Sequence, residues 1–131
     1  MAEDNKGDIY LIEEALTVHG VNATLHVVPD GEAAIDYLQQ AEADGPALPP
    51  HLVLLDLNLP RKTGHDVLRH IRKSARFGGL PVLIVTSSDA EIDRTQAQIL
   101  GVSGFFRKPS NFDEYLKIGE LVRQVLAPPA Q

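Results

Sequence analysis

Several common features are missing from this sequence, and each absence excludes a class of protein. The chain has no cysteine, so disulfide bonds and thiolate metal sites are excluded. No apolar run reaches the ~18 residues that a membrane-spanning helix needs, so we expect no membrane partner. The 12 basic residues form no cluster, are outnumbered by 18 acidic ones and leave a net charge of −6. That balance argues against a nucleic-acid partner, which requires a concentrated positive face.

The N-terminus and the length predict where the protein works and how it is organised. The first residues, MAEDNKGD, are polar and acidic, unlike a secretory signal peptide. This start and the absence of cysteine predict a cytoplasmic protein. A length of 131 residues suits one domain with one core. We expect that domain to cover residues 1–127, with a short tail at 128–131 and no further domain.

Short apolar runs alternate with helical patterns along the chain. Runs rich in branched or continuous apolar residues predict strands at 23–28, 51–56, 80–88 and 104–106. Apolar residues three and four apart predict helices at 9–20, 30–43, 64–73 and 89–100. A last helix begins at Asn111, where Glu114 completes a capping box, and a proline-rich loop covers 44–50. This alternation predicts an α/β fold, a doubly wound parallel sheet with helices on both faces.

The polar residues at the predicted strand ends suggest a chemistry. Asp56, Thr86 and Lys108 each end or follow a strand, and ligands of parallel sheets bind at this edge. Together with Glu3 and Asp4, Asp56 offers the oxygen ligands that suit Mg²⁺. An aspartate in such a setting can attack phosphorus, while a lysine and a threonine hydroxyl can hold phosphoryl oxygens. The sequence therefore predicts a phosphoryl-transfer site.

These motifs give the sequence a family resemblance. It resembles the receiver domain of two-component response regulators, which has flavodoxin-like topology, over essentially the whole chain. The matching segments are Glu3-Asp4-Asn5, the 54–60 run LLDLNLP, Gly64, the 85–88 run VTSS and the 104–109 run GFFRKP. The phrase LDLNLPRKTG and the proline-rich loop are similar to the single-domain regulators that partner bacterial phytochromes. The resemblance implies a phosphoacceptor that catalyses only its own phosphotransfer and dephosphorylation, and is not otherwise an enzyme.

The resemblance also implies roles for the acidic residues. Asp56 would accept a phosphoryl group from the phosphohistidine of a sensor histidine kinase, which in this subfamily is a bacterial phytochrome. Glu3, Asp4, Asp56 and the backbone carbonyl of Asn58 would hold Mg²⁺. The signal would then pass by protein–protein interaction or by phosphorelay.

Four further residues receive roles from the same resemblance. Thr86 and Lys108 would contact the phosphoryl group, and Thr86 with Phe105 would form the switch. Family members often have tyrosine at the position of Phe105, so a signal that depends on a hydroxyl there is not expected. Asn58 and Ser88 would flank the phosphate and tune its hydrolysis.

The start of the chain departs from the family pattern. In receivers an apolar central strand precedes the acidic pair, but here only Met1 and Ala2 precede Glu3. Each buried backbone group left unpaired would cost ~1–3 kcal/mol. We therefore expect the first strand to be shortened or missing. Three explanations stay open: a natural start upstream of Met1, a truncated sequence, or a shortened sheet that survives.

The last predicted helix is apolar over more of its circumference than one buried face requires. The residues that suggest a homodimer surface are Tyr115, Ile118, Leu121, Val122 and Val125. The alternative is a long inward face with scattered exposed apolar residues.

Other functions fit the sequence less well. An aspartyl-phosphate phosphatase commonly has a second aspartate two residues after its nucleophile, and Asn58 stands at that place here. A flavin-binding domain would want a hydroxyl- and glycine-rich loop where this chain has EDNKGD. A receiver-like interaction module that is never phosphorylated is the remaining alternative, and only the short start favours it. In that case Glu3 and Asp4 would be a solvated charge pair.

Overall fold

A computed structural model describes residues 1–43 and 48–127. Part of the predicted proline-rich loop (44–47) and the predicted tail (128–131) lie outside the described residues. Within the described ranges, no helix has the length and apolar character needed to cross a membrane.

The sheet is parallel and has three strands in the described part of the chain. They are β1 (Val53–Leu55), β2 (Val82–Thr86) and β3 (Gly104–Arg107), and they lie side by side in that order. Every residue of β1 and β2 is buried, as the continuous apolar runs predict for strands covered on both faces. The observed strands fall inside the predicted 51–56 and 80–88 and extend 104–106 by one residue.

Six helices surround this sheet in the described ranges. They are α1 (Lys6–Val18), α2 (Gly31–Glu42), α3 (Gly64–Lys73), α4 (Glu91–Ile99), α5 (Phe112–Tyr115) and α6 (Ile118–Leu126). The bounds of α3 are those predicted, and Thr63 begins this helix with a reciprocal capping box to Asp66. The helix α1 starts three residues before the predicted position because the Asn5 side chain accepts a hydrogen bond from the Asp8 N–H at 2.9 Å.

Two apolar cores confirm that helices cover both faces of the sheet. Alternate residues of β2 point to opposite sides, so Ile84 packs with α2 and α3 while Leu83 packs with α1 and α6. The doubly wound, flavodoxin-like α/β fold expected from the sequence is therefore correct. Because the strands are parallel, their carboxyl ends lie together at one edge of the sheet, between the two cores.

The predicted strand at 23–28 is wrong. Of that segment only Val28 pairs, through an isolated parallel bridge to Ala2, and Ala2 forms a second parallel bridge to Leu55. The Ala2 N–H donates to the Leu54 carbonyl oxygen at 2.9 Å, and the Glu3 N–H donates to that of Val28 at 3.0 Å. A strand forms only where a neighbouring strand runs beside it. Here the central position of the sheet is occupied by Ala2 alone, so residues 23–27 have no strand to pair with. The expected shortening of the first strand is thus present.

A groove continues the line of Ala2 away from the acidic residues. Its volume is about 690 Å³, and its walls are formed mainly by 22–28 on one side and 48–54 on the other. The Met1 α-ammonium lies at its end and donates to the His26 carbonyl oxygen at 2.6 Å, and burial lowers the pKa of this ammonium to about 6. The groove occupies the place where a longer central strand would run.

The last helix differs from the prediction in three ways. It is divided into α5 and α6, because the backbone between them forms i→i−3 hydrogen bonds that tighten the turn. The Asn111 side chain accepts from the Glu114 N–H at 3.2 Å, but the Glu114 carboxylate binds Lys117, so the predicted capping box is only half formed.

The third difference concerns the predicted dimer surface. Tyr115, Ile118 and Val122 are buried inside the chain, where they pack against α1 and the sheet, and they are removed from that surface. Leu121 and Val125 are half-buried and keep part of their side chains accessible.

Candidate functional site

Two of the three polar residues predicted at the strand ends, Asp56 and Lys108, meet in one cleft of about 460 Å³. Asp56 directly follows β1, Lys108 directly follows β3, and Glu3 follows the bridge residue Ala2. The residues that line the cleft are Glu3, Asp4, Asn5, Asp8, Asp56, Ser87, Lys108, Pro109 and Ser110. Parallel strands bring side chains from distant parts of the sequence to this edge because all their carboxyl ends point the same way.

Lys108 stands at the centre of the cleft and is bonded to three carboxylates. Its Nζ lies 2.5 Å from Glu3 Oε1, 2.8 Å from Asp8 Oδ2 and 2.9 Å from Asp56 Oδ2. Both Glu3 and Lys108 have little solvent contact, with side chains 2% and 10% exposed. Burying these carboxylates is tolerable because each faces the ammonium directly.

Asp56 is held by backbone groups as well as by Lys108. Its Oδ1 accepts a hydrogen bond from the Asn58 N–H at 3.0 Å, and its own N–H donates to the Ala2 carbonyl oxygen at 3.2 Å. A Cβ at Gly64 would lie 2.3 Å from the Asp56 carbonyl oxygen, so only glycine lets α3 start this close to the site. Asn58 itself is exposed beside the cleft.

The two buried carboxyls next to Lys108 have opposite pKa shifts. Burial raises the pKa of Glu3 to about 7, and the neighbouring Asp56 charge acts in the same direction. Burial also acts to raise the pKa of Asp56, but hydrogen bonds from the Asn58 N–H, Lys108 and Glu3 outweigh it and lower that pKa. For Lys108, burial is outweighed by bonds to Asp8, Glu3 and Asp56, and its pKa is raised. Asp56 is therefore the ionised carboxylate of the pair, beside a charged lysine.

Three carboxyl groups of the cleft are placed to share a cation. Each of Glu3, Asp4 and Asp56 offers an oxygen, and these oxygens lie within 4.8 Å of one another. Asp4 is exposed, and its N–H donates to Glu3 Oε2 at 3.1 Å. An oxygen-only donor set with excess negative charge fits a hard divalent cation such as Mg²⁺ or Mn²⁺. The buried position of Glu3 excludes the reading of the acidic pair as wholly solvated.

The other predicted site residues lie around the cleft and not in its lining within the described part of the chain. Thr86 is fully buried, and its hydroxyl accepts from the Ser88 N–H at 3.3 Å. The Ser88 hydroxyl donates to Asp93 Oδ2 at 2.6 Å. Phe105 is half-buried, with the Arg94 guanidinium 5.3 Å from its ring centre.

Sequence reasoning missed Asp8 and misplaced Tyr115. Asp8 Oδ1 accepts a hydrogen bond from the Tyr115 hydroxyl at 3.0 Å, so the tyrosine assigned to an outer surface points at the site. A signal for Asp8 was present, since Asn5 and Asp8 have the spacing of a helix N-cap and its third residue. That pattern places a carboxylate in the first turn of α1, directly after the acidic pair.

A parallel α/β fold with an acidic cleft and a lysine at the strand ends is the arrangement that the sequence led us to expect of a receiver domain. Residues 1–119 match the sequence family described as the response regulator receiver domain. The chain belongs to this family, as the resemblance of its motifs predicts.

Two individual proteins are similar to this chain over most of its length. The probable methanogenesis regulatory protein FilR2 of Methanothrix harundinacea is 35% identical over 124 residues, which cover 95% of this chain and 79% of that protein. Response regulator Rcp1 of Synechocystis sp. is 34% identical over 118 residues, which cover 90% of this chain and 80% of Rcp1.

Solved structures of two regulators have the same fold. The Mn²⁺-bound form of Rcp1 superposes with a TM-score of 0.83 at 32% identity, covering 98% of this chain and 96% of that one. The phosphorylated cyanobacterial phytochrome response regulator RcpA gives a TM-score of 0.81 at 35% identity, covering 94% and 88%. The chain is thus similar to phytochrome-associated response regulators.

Proposed function

We propose that this chain is a phosphoacceptor switch in which Asp56 receives a phosphoryl group from the phosphohistidine of a sensor histidine kinase. The observation that carries the proposal is the setting of Asp56. It is an ionised carboxylate in an open cleft, with the Lys108 ammonium 2.9 Å from one of its oxygens. A carboxylate that keeps its charge is ready to act as a nucleophile, and a fixed cation beside it can hold incoming phosphoryl oxygens.

The transfer needs no base from the cleft, because the Asp56 carboxylate is already ionised. A carboxylate oxygen of Asp56 attacks phosphorus, and the bond from phosphorus to the histidine nitrogen breaks. Its electron pair stays on the imidazole, which leaves as a neutral ring with the proton that its other nitrogen already carries. Glu3, Asp4, Asp56 and the backbone carbonyl of Asn58 would hold Mg²⁺, which supplies charge neutralisation for the phosphoryl oxygens when it is bound. In dephosphorylation, water attacks the same phosphorus, the bond from phosphorus to the Asp56 oxygen breaks and restores the carboxylate, and the proton of the water leaves with inorganic phosphate. We infer that the chain catalyses only these reactions of its own phosphoryl group.

The residues around the cleft support smaller roles in the same proposal. Lys108 would contact the phosphoryl group directly, and the buried Thr86 hydroxyl would join it after a local rearrangement of the loop after β2. That loop precedes α4, whose Arg94 lies over Phe105 on the neighbouring strand β3, so Thr86 and Phe105 are the proposed switch. Asn58, exposed beside Asp56, and Ser88, bonded to Asp93, would tune hydrolysis.

The relatives suggest the partners. Because RcpA is named as a phytochrome response regulator, we propose a bacterial phytochrome with histidine kinase activity as the phosphoryl donor. Residues 1–127 would act in the cytoplasm as a receiver and signal by protein–protein interaction or phosphorelay. A homodimer through the last helix would now use Leu121 and Val125, the half-buried members of the predicted set.

The first experiment is intact-mass measurement after incubation with acetyl phosphate and Mg²⁺. We expect one phosphoryl increment on the wild type, none on Asp56→Asn, and none when a chelator replaces Mg²⁺. An exposed aspartate, Asp36→Asn, is the matched control and should be phosphorylated like the wild type. An unmodified wild type would reject the proposal in favour of a receiver-like interaction module. An increment that persists in Asp56→Asn would reject the assignment of Asp56.

A further inference from the structure

The Lys108 ammonium is held by a carboxylate that the proposed metal site does not use. A lysine ammonium has three N–H donors, and here they match three carboxylates, those of Glu3, Asp8 and Asp56. Glu3 and Asp56 belong with Asp4 to the group of oxygens that can share a cation. Asp8 is the third partner of Lys108, and it stands outside that group.

Asp8 is itself fixed in place from two further sides. Its Oδ1 accepts from the Tyr115 hydroxyl at 3.0 Å, and its backbone N–H donates to Asn5 Oδ1 at 2.9 Å. Tyr115 is buried in α5, and this burial together with the Asp8 charge raises the pKa of the phenol. The tyrosine therefore stays a hydrogen-bond donor. One oxygen of Asp8 is left for Lys108, and the other is committed to Tyr115.

We propose that Asp8, oriented by the Tyr115 hydroxyl, is a positioning residue that keeps Lys108 at the cleft while Glu3 and Asp56 turn to the cation and the phosphoryl group. This inference rests on the proposed function of Asp56. The oxygens of Glu3 and Asp56 that now bind the ammonium cannot give the same lone pairs to a metal ion. Asp8 has no such competing duty, so its bond can hold the ammonium within reach of phosphoryl oxygens.

The same chain of bonds connects the cleft with α5. Lys108 follows β3, Asp8 lies in the first turn of α1, and Tyr115 is the last residue of α5. Any displacement of the ammonium toward a phosphoryl group alters the bond to Asp8 and, through it, the hydrogen bond of Tyr115. The chain thus has a hydroxyl on α5 whose hydrogen bond depends on the state of the site, whereas Phe105 has no hydroxyl.

The test uses Tyr115→Phe, Asp8→Asn and the double variant, with Tyr10→Phe, an exposed tyrosine of α1, as the matched control. Two quantities are measured: the dissociation constant for MnCl₂ by Mn²⁺ EPR, and the rate of phosphorylation by acetyl phosphate at saturating Mg²⁺. We expect both single variants to slow phosphorylation by about tenfold, as the loss of one charge-assisted bond predicts. Both should also weaken Mn²⁺ binding, because a freed Lys108 competes for Glu3 and Asp56. Since the two groups act through one bond, the double variant should be no slower than Asp8→Asn.

Each result decides a different point. If the wild type is phosphorylated and both variants keep its rate, the role of Asp8 is overturned and the proposed function stands. If the wild type takes no phosphoryl group, the proposed function fails, and unchanged Mn²⁺ binding in both variants then overturns the inference as well. A lower melting temperature with unchanged rate and Mn²⁺ binding would make the pair purely structural. Additive losses in the double variant would contradict the coupling of Asp8 to Tyr115.

Discussion

At the scale of single residues, the pKa values of Glu3 and Asp56 shift in opposite directions, although Lys108 donates a hydrogen bond to both. Glu3 is almost fully buried and receives its charge compensation from Lys108 alone among the side chains bonded to it in the described structure. Asp56 also accepts a backbone N–H from Asn58, which favours its ionised form. Glu3 is therefore the carboxyl that takes up a proton more readily, and the carboxylate proposed as nucleophile stays ionised.

This difference predicts how the stability of the metal-free protein depends on pH. Because burial raises the folded-state pKa of Glu3 to about 7, the folded protein holds a proton there that the unfolded chain releases near pH ~4.3. The resulting stabilisation is complete below the unfolded pKa and is lost as the pH rises toward 7. Relative to Glu3→Gln, the wild type should lose on the order of 3 kcal/mol of unfolding free energy across that window.

The measurement is denaturant unfolding in a chelating buffer at several pH values between 4.5 and 8. Glu13→Gln changes an exposed glutamate of α1 and is the control that should follow the wild type at every pH. A difference between the wild type and Glu3→Gln that stays constant with pH would show that Glu3 titrates normally.

At this scale the sequence predicted that Asp56 and Lys108 lie together, as they do at 2.9 Å, and it did not predict that Asp8 also binds Lys108. Asp56 and Lys108 can be recognised from the sequence because each follows a predicted strand. The carboxyl ends of parallel strands lie at the same edge of the sheet. Asp8 follows no strand, and its place in the cleft depends on where α1 begins and on which way its first turn faces. Tyr115 was misjudged because an apolar stripe marks a helix face without saying which part of that face meets the core.

At the scale of secondary structure, the elements with strong local signals were predicted well. The helix α3 begins with a capping box, buries a single apolar face and has the bounds that the sequence predicts. The segment at 23–28 has strand-forming residues, but only Val28 has a bridge partner, since strand pairing is a property of two segments and not of one. The last helix is divided where its backbone forms i→i−3 hydrogen bonds, and Gly119 just after this turn packs closely against α1.

That packing predicts the effect of one added methyl group. A Cβ at Gly119 would lie 2.4 Å from the Ala15 carbonyl oxygen and 2.4 Å from His19 Cδ2, so α6 would have to move away from α1. We expect Gly119→Ala to destabilise the fold by about 1–2 kcal/mol, since overpacking outweighs the better helix propensity of alanine. Thermal unfolding checks it against Gly79→Ala, where a Cβ meets nothing within 4 Å. Equal melting temperatures of the two variants would contradict the close contact.

The groove beside Ala2 predicts that an added strand would stabilise the sheet. An extension of about five apolar, branched residues before Met1 would span the groove at ~3.3 Å per residue and pair with the segments on both sides. It would bury the apolar lining of the 690 Å³ space and raise the melting temperature. A glycine-serine extension of equal length also converts the Met1 ammonium to an amide, so it is the matched control. If both extensions give the same melting temperature, the groove does not accept a strand.

At the scale of the whole molecule, charge and exposed apolar surface act against each other in self-association. The chain has a net charge of −6, so two copies repel, and salt screens that repulsion. The last helix leaves Leu121 and Val125 partly accessible and Leu126 37% exposed, which is a small apolar strip at one end of the molecule. Such a strip can support only a weak dimer unless the phosphorylated state exposes more of it.

We therefore expect a dimer that forms on phosphorylation and strengthens with salt. Sedimentation velocity with Mg²⁺, with and without acetyl phosphate, should show a larger species only in the phosphorylated sample, and more of it at higher NaCl. Val125→Asp should abolish that species, whereas Gln124→Asp adds the same charge to an exposed position of α6 and should leave it intact. A monomer in every sample would remove the last helix as a homodimer surface, and a dimer that dissolves in salt would show that charged contacts, not the apolar strip, hold it together.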